Sequence, residues 1–146
     1  MKAKSILFSV ALGALFLTSC EKEEVVKDNE LPTAAQEFLV RHFAGDNVAK
    51  VVKERDIIKK DDSYDVTLSS GTTLDFNKAG EITEIDSPTK LPDSFIPAGI
   101  SSYVQTNYAN DMIVGWELEG ENQDIELVSQ LELRFDKNNV FVSIQD

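Results

Sequence analysis

One cysteine, one histidine, one tryptophan and 26 carboxylates set what chemistry is open to this 146-residue chain. A lone imidazole cannot assemble a multi-histidine metal site, and His42 lies one helical turn from Phe38 and beside Phe43, the setting of a partly buried structural histidine rather than a general base. No serine sits in a Gly-x-Ser-x-Gly elbow, so acyl transfer has no nucleophile. The acids of Asp61-Asp62 and of Glu119 to Asp124 lack the alternating oxygens, central glycine and terminal glutamate of a calcium loop. No glycine-rich phosphate loop follows a strand, and no carboxylate pair stands out for glycoside chemistry. The expectation is a non-enzymatic chain with neither metal nor cofactor.

Cys20 closes a leader. Lys2 and Lys4 precede a short apolar run, Ile6 to Leu17, too short to span a bilayer stably. The segment ends Leu17-Thr18-Ser19-Cys20, which resembles the bacterial lipobox, where the cysteine becomes diacylglyceryl-modified. Acyl chains stabilise membrane attachment by roughly 0.8 kcal/mol per buried methylene, so two or three of them anchor a soluble domain. Residues 1–20 read as a lipoprotein signal peptide, 21–30 as an acidic tether and 31–146 as the folded part. Glu21-Lys22-Glu23-Glu24 admits two readings, a surface-export signal or a solvated spacer. The expected place is the outer membrane, lipid-anchored, on the periplasmic side or at the cell surface.

The formal charge is −12, and without Lys2 and Lys4 it is −14. Phosphate recognition needs a basic surface, so nucleic acid is excluded as a partner, while the acidic balance is either a solvated surface or a means of steering a basic protein or peptide.

Asp65 to Phe76 and Asp124 to Phe135 share Asp-apolar-polar-Leu at the start and Leu-polar-Phe at the end, 59 positions apart. Each copy follows a Leu-Pro pair, Leu31-Pro32 or Leu91-Pro92, and an aromatic-rich helical pattern, so the chain is a tandem repeat, 31–86 and 91–146. Thr33 and Gln36 have capping-box spacing, and Phe38, Leu39 and Phe43 predict a helix from about Ala34 to Ala44, stopped by Gly45. In the second copy Pro97 suits a first turn, Ile100, Tyr103, Val104 and Tyr108 form the stripe, and Asn110 is the stop.

Four short extended segments follow each helix. Val66, Leu68, Leu74 and Phe76 alternate with Asp65, Thr67, Thr73 and Asp75, and Ile125, Leu127, Leu133 and Phe135 repeat the pattern, as in a sheet covered on one face. Asn77 to Gly80 and Asp136 to Asn139 predict equivalent hairpin turns. The fold class is therefore α+β: a helix on a four-stranded antiparallel meander, twice, with only Ser87 to Lys90 between them. The halves are expected to share one extended sheet with both helices on one face. Val114, Trp116 and Leu118 alternate together, which places Trp116 in the core, and Tyr64 points inward too. Parity leaves Thr67, Thr73 and Asp75, with Glu126, Val128, Glu132 and Arg134, on the uncovered face, which is a candidate binding surface or a plain solvated one.

These features resemble the PepSY-like, β-lactamase-inhibitor-like family of bacterial envelope proteins: Leu31-Pro32, Phe38 and Phe43, Tyr64 to Leu68, Gly71, Phe76-Asn77 and Gly80. The second copy matches through Leu91-Pro92, Tyr103 and Tyr108, Ile125 and Leu127, Phe135-Asp136 and Asn139. It departs at Gln123, where the Tyr belongs, and at Val128-Ser129-Gln130, which replaces the Gly turn. The resemblance implies a non-catalytic role, binding or inhibiting a protein or peptide; the rival expectation is a structural accessory lipoprotein of a larger envelope assembly.

Overall fold

The computed structural model describes residues 21–56 and 61–145, so the leader with Cys20 and its expected lipidation, the loop 57–60 and Asp146 lie outside the described residues. The chain runs β1 (Glu21–Val26), a 3-10 turn (Asp28–Glu30), α1 (Thr33–His42), β2 (Val48–Asp56), β3 (Asp61–Leu68), β4 (Thr73–Asn77) and β5 (Ile82–Asp86). It continues α2 (Ala98–Asn107), β6 (Ile113–Glu119), β7 (Asn122–Leu127), β8 (Glu132–Phe135) and β9 (Phe141–Gln145). The strands form one antiparallel sheet in sequence order, β1 to β9. The expected helix-and-meander repeat, single sheet and shared helix face are all present.

One difference is a ninth strand. Residues 21–30, expected to be a tether, form β1 and the 3-10 turn. Val26 pairs with Val51, and Glu24 lies opposite Lys53. Val26 packs against the core, and β1 covers what would otherwise be the open edge of β2.

A single apolar row crosses the whole sheet: Val26, Val51, Val66, Leu74, Ile85, Trp116, Ile125, Leu133 and Ile144 are successive cross-strand partners. Val51 to Leu133 are buried beneath Ala35 and Leu39 of α1 and Ile100 and Val104 of α2. Each fully buried aliphatic side chain contributes roughly 1.5–3 kcal/mol, so this row and its two helical lids are the main source of stability.

The structure re-registers the repeat. The helices begin at Thr33 and Ala98, 65 positions apart, each preceded by a capping proline, Pro32 or Pro97, with φ of −53° and −56°. The counterpart of Leu31-Pro32 is therefore Ile96-Pro97 and not Leu91-Pro92, with Leu31 and Ile96 both buried. Leu91 is an extra buried anchor whose N–H donates to the Ile113 carbonyl at 2.8 Å. Pro97 thus caps α2 from outside its first turn. Thr33 is not a cap either: it is the first residue of α1, and Gln36 Nε2 donates to the Leu31 carbonyl at 2.8 Å; the helix stops at His42. The offset falls from 65 to 59 across the β2–β3 hairpin, which is longer than the β6–β7 turn at Gly120-Glu121.

The turns solve one steric problem in two ways. Gly80, at φ +81°, lies so close to α1 that a Cβ would sit 2.8 Å from the Ala35 nitrogen and from Pro32 Cβ. Its counterpart Asn139, φ +63°, carries a side chain because α2 supplies the small residue, Gly99, whose added Cβ would meet Asn139 Cβ at 3.4 Å. Gln130 occupies the place of Gly71 and adopts φ +68° without a glycine's freedom. Gly80→Ala should lower stability by about 2–3 kcal/mol, and Gln130→Gly should raise it by about 1 kcal/mol, both read by urea denaturation.

Candidate functional site: the open sheet face

The pleat that turns the apolar row toward the helices turns the alternate residues away from them. Asp65, Asp75, Glu84, Glu117, Asp124, Arg134 and Ser143 are successive cross-strand partners from β3 to β9. A second row runs Lys50, Thr67, Thr73, Asp86, Gly115, Glu126, Glu132 and Gln145. Five carboxylates thus stand side by side in the first row, an arrangement in which like charges directly opposite each other destabilise the sheet.

The structure brings Thr67, Thr73, Asp75, Glu126, Glu132 and Arg134 together on this face, as parity predicts. Val128 lies one residue beyond the end of β7, in the following turn, its N–H donating to the Met112 carbonyl at 3.0 Å. Sequence reasoning left out Asp65, Asp124, Glu84, Asp86 and Glu117 as site residues. The first two share the parity of their neighbours and could have been included. The other three need the pairing of β5 with β6, a contact between the repeats that no local pattern announces.

The two repeats differ at one decisive position. Asp124 is buried and held by Arg134, whose Nε donates to Oδ1 at 2.7 Å while Nη2 reaches Oδ2. The equivalent pair in the first repeat is Asp65 and Asp75, acid facing acid. Burial, followed by the charges of Asp65, Glu84, Glu54 and Asp86, pushes the Asp75 carboxyl up to about 7. Burial likewise raises Asp65, and it raises Glu84 with help from Asp86 and Glu117. Glu132 is raised by burial and by the charge of Asp124.

Gly115 lets the second row close over β6. A Cβ there would stand 2.8 Å from Glu126 Cβ and 3.3 Å from an Asp86 carboxylate oxygen. Glu126 therefore leans across the strand, and a shallow hollow of about 100 Å³ forms among Glu84, Asp86, Glu117, Asp124, Glu126 and Glu132. Among the described residues, no three Asp, Glu, His or Cys side chains converge as metal ligands do.

On the covered face, His42 Nδ1 lies 2.9 Å from Ser94 Oγ, between the Phe38 and Phe95 rings, and burial lowers its pKa. It is a packing residue at the junction of the repeats. Trp116 is buried as expected, and its indole N–H donates to Gln123 Oε1 at 3.0 Å. That bond gives a physical reason for Gln123 in the place of a tyrosine: a buried indole N–H requires an acceptor. Tyr64 is buried beside Lys53, whose Nζ lies 5.4 Å from the ring centre.

This fold is shared with solved bacterial proteins. A protein of Bacteroides thetaiotaomicron described as a "putative calcium-regulated periplasmic protein" is 30% identical, with a TM-score of 0.79 over 85% of this chain and 97% of that one. A protein of Bacteroides vulgatus described as a "putative periplasmic protein of unknown function" is 36% identical, with a TM-score of 0.78 over 86% of this chain and all of the other. A second Bacteroides vulgatus protein, described as a "putative periplasmic protein" of the DUF2874 family, is 30% identical, with a TM-score of 0.77 over 85% of this chain and 97% of that one. No curated protein matches the chain significantly. The family model described as "Putative beta-lactamase-inhibitor-like, PepSY-like" matches residues 62–143, and the chain belongs to that family.

Asp75 keeps its proton to about pH 7 when folded and only to about pH 4 when unfolded, so its contribution to stability is complete below pH 4 and lost as pH rises through 7. Asp75→Asn should therefore stabilise the protein at pH 8 by about 1–2 kcal/mol, discounted for partial solvation, with the difference vanishing near pH 4. Arg134→Met strands a buried carboxylate and should cost about 2–4 kcal/mol at pH 7, less at pH 4, in the same denaturation assay.

Proposed function

We propose that this protein is a lipid-anchored envelope protein whose acidic sheet face binds a basic segment of a protein or peptide without transforming it, with inhibition of a secreted or envelope enzyme as the use of that binding. The observation that carries the reading is the run Asp65, Asp75, Glu84, Glu117 and Asp124, in which only Asp124 faces a basic partner in the next strand. Burial and neighbouring carboxylates raise Asp75 and Glu84 within that row, and a cation laid beside them relieves the repulsion, so a basic segment fits the face electrostatically. A broad face suits such a segment better than it suits a small molecule.

The periplasmic description of the relatives supports the envelope setting. Among the described residues no helix is long and apolar enough to cross a membrane. Because β1 begins at Glu21, lipid on Cys20 would hold the β1 edge at the bilayer surface. One relative is described as calcium-regulated; among the described residues of this chain no three Asp, Glu, His or Cys side chains converge as metal ligands do, and the reading offered is electrostatic docking.

Titration calorimetry with a 12-residue peptide alternating lysine and valine tests the face. Binding should weaken at least about tenfold in Asp75→Asn, Glu84→Gln and fall steeply with salt. Equal affinity of the variant and the unaltered protein would remove the face from consideration. Anchoring is tested separately: Cys20→Ser should move the protein from the membrane to the soluble fraction, and retention in the membrane would contradict lipidation.

A further inference from the structure

Each repeat leaves a cleft where its helix ends over the sheet. In the first, about 330 Å³ opens between the last turn of α1, the 3-10 turn and the sheet, with Leu31, Leu39, Phe43 and Leu68 among its walls. In the second, about 350 Å³ opens at the equivalent place beside α2. The linings correspond at the helix offset, Leu39 with Val104, Asp46 with Asp111 and Val48 with Ile113. Both acids clip two turns together. Asp46 Oδ1 accepts the N–H groups of Asn47 and Ser70 at 2.9 and 3.2 Å, and Asp111 Oδ1 those of Met112 and Ser129 at 2.9 and 3.3 Å.

The two clefts differ at the mouth. Val40 stands at the rim of the first and is 72% exposed, whereas its counterpart in the second is the polar Gln105. Asp28 and Asn29 of the 3-10 turn wall the first cleft, and no basic side chain lines it. The linker walls the second, where Lys90 Nζ lies 2.6 Å from Asp93 Oδ1 and the two charges offset each other. The last turn of α1 lines the first cleft too, so the partial negative charge of a helix C-terminus adds to that of Asp28 and Asp46.

We propose that the first cleft binds an apolar primary amine, with its ammonium group at the acidic mouth and its apolar body against Val40 and Phe43. Charge decides the ligand class: a cation complements the two carboxylates and the helix end, and an anion is repelled by all three. The volume is at the low end for small-molecule sites, so the apolar body is the size of one side chain. The second cleft shares the scaffold but has a polar rim and a neutralised wall, and it serves as an internal control. Leu68 and Leu39 place the first cleft on the helix side of the sheet, away from the open acidic face, so the two sites stand or fall separately.

Amide NMR of the chain from Glu21 to Asp146, which contains every described element, tests the site with phenethylamine and with phenylpropionate, its anionic counterpart. The amine should shift the amides of Asn29, Val40 and Val48 with a dissociation constant on the order of 0.1–1 mM, and leave those of Gln105 and Ile113 in place. The anion should shift neither set. Val40→Gln and Asp28→Asn, both at exposed positions, should each weaken binding at least about fivefold with the rest of the spectrum unchanged. Shifts with the tripeptide Phe-Gly-Gly that acetylation abolishes would assign the ammonium to a peptide amino terminus, and shifts with phenethylamine alone to a free amine. No shift at the first cleft up to about 10 mM amine overturns the proposal. So does an equal response to the anion, an equal response of the two clefts, or unchanged affinity in both variants.

Discussion

The structure depends on the junction between β5 and β6. Only three register pairs join the repeats there: Glu84 with Glu117, Ile85 with Trp116, and Asp86 with Gly115. One face of that junction is repulsive, since two glutamates stand opposite each other at a cost of roughly 0.2–1 kcal/mol. The other face outweighs it. Phe95 from the linker lies 5.4 Å from Phe38 and 5.1 Å from Trp116, edge-on to both, tying α1 to β6 across the seam. Each such pair contributes about 0.5–1.5 kcal/mol beyond the burial of its rings.

The same junction makes the acidic row continuous. Neither repeat alone holds more than a short group of acids on its open face; joined, they align Asp65 and Asp75 with Glu84, Glu117 and Asp124. The duplication kept the buried positions and altered the outward ones: Thr67 against Glu126, Thr73 against Glu132, Asp75 against Arg134. The last change matters most. With Arg134 the second repeat neutralises its own buried carboxylate, whereas with Asp75 the first repeat adds to the charge it already carries.

Much of this was legible because the signals are local. Period-two alternation located the sheet face, the turn residues at Gly80 and Asn139 located the hairpins, and apolar stripes located both helices. What was not legible is non-local. Leu91-Pro92 imitates Leu31-Pro32 in sequence, but the helix cap it should mark is supplied by Pro97, because linker residues 92–96 are used to insert Phe95 and Ile96 into the core. Residues 21–30 looked like a spacer because their acids dominate the composition, yet Val25 and Val26 suffice to seat a strand once β2 offers an edge. Glu84, Asp86 and Glu117 became site residues only when two distant strands were paired.

If the acidic face binds cations as proposed, it links stability to binding. At neutral pH the folded protein confines carboxylates that would titrate normally in the unfolded chain, and Asp75 carries the largest part of that strain. Neutralising the residue relieves the fold but removes a charge that a cationic partner would use, so stability and affinity respond in opposite directions to the same substitution. A cation bound beside Asp75 also favours its ionised form, so binding near pH 7 and release of the Asp75 proton are one linked equilibrium. The geometry that makes this face costly to fold is therefore the geometry on which the proposed binding rests.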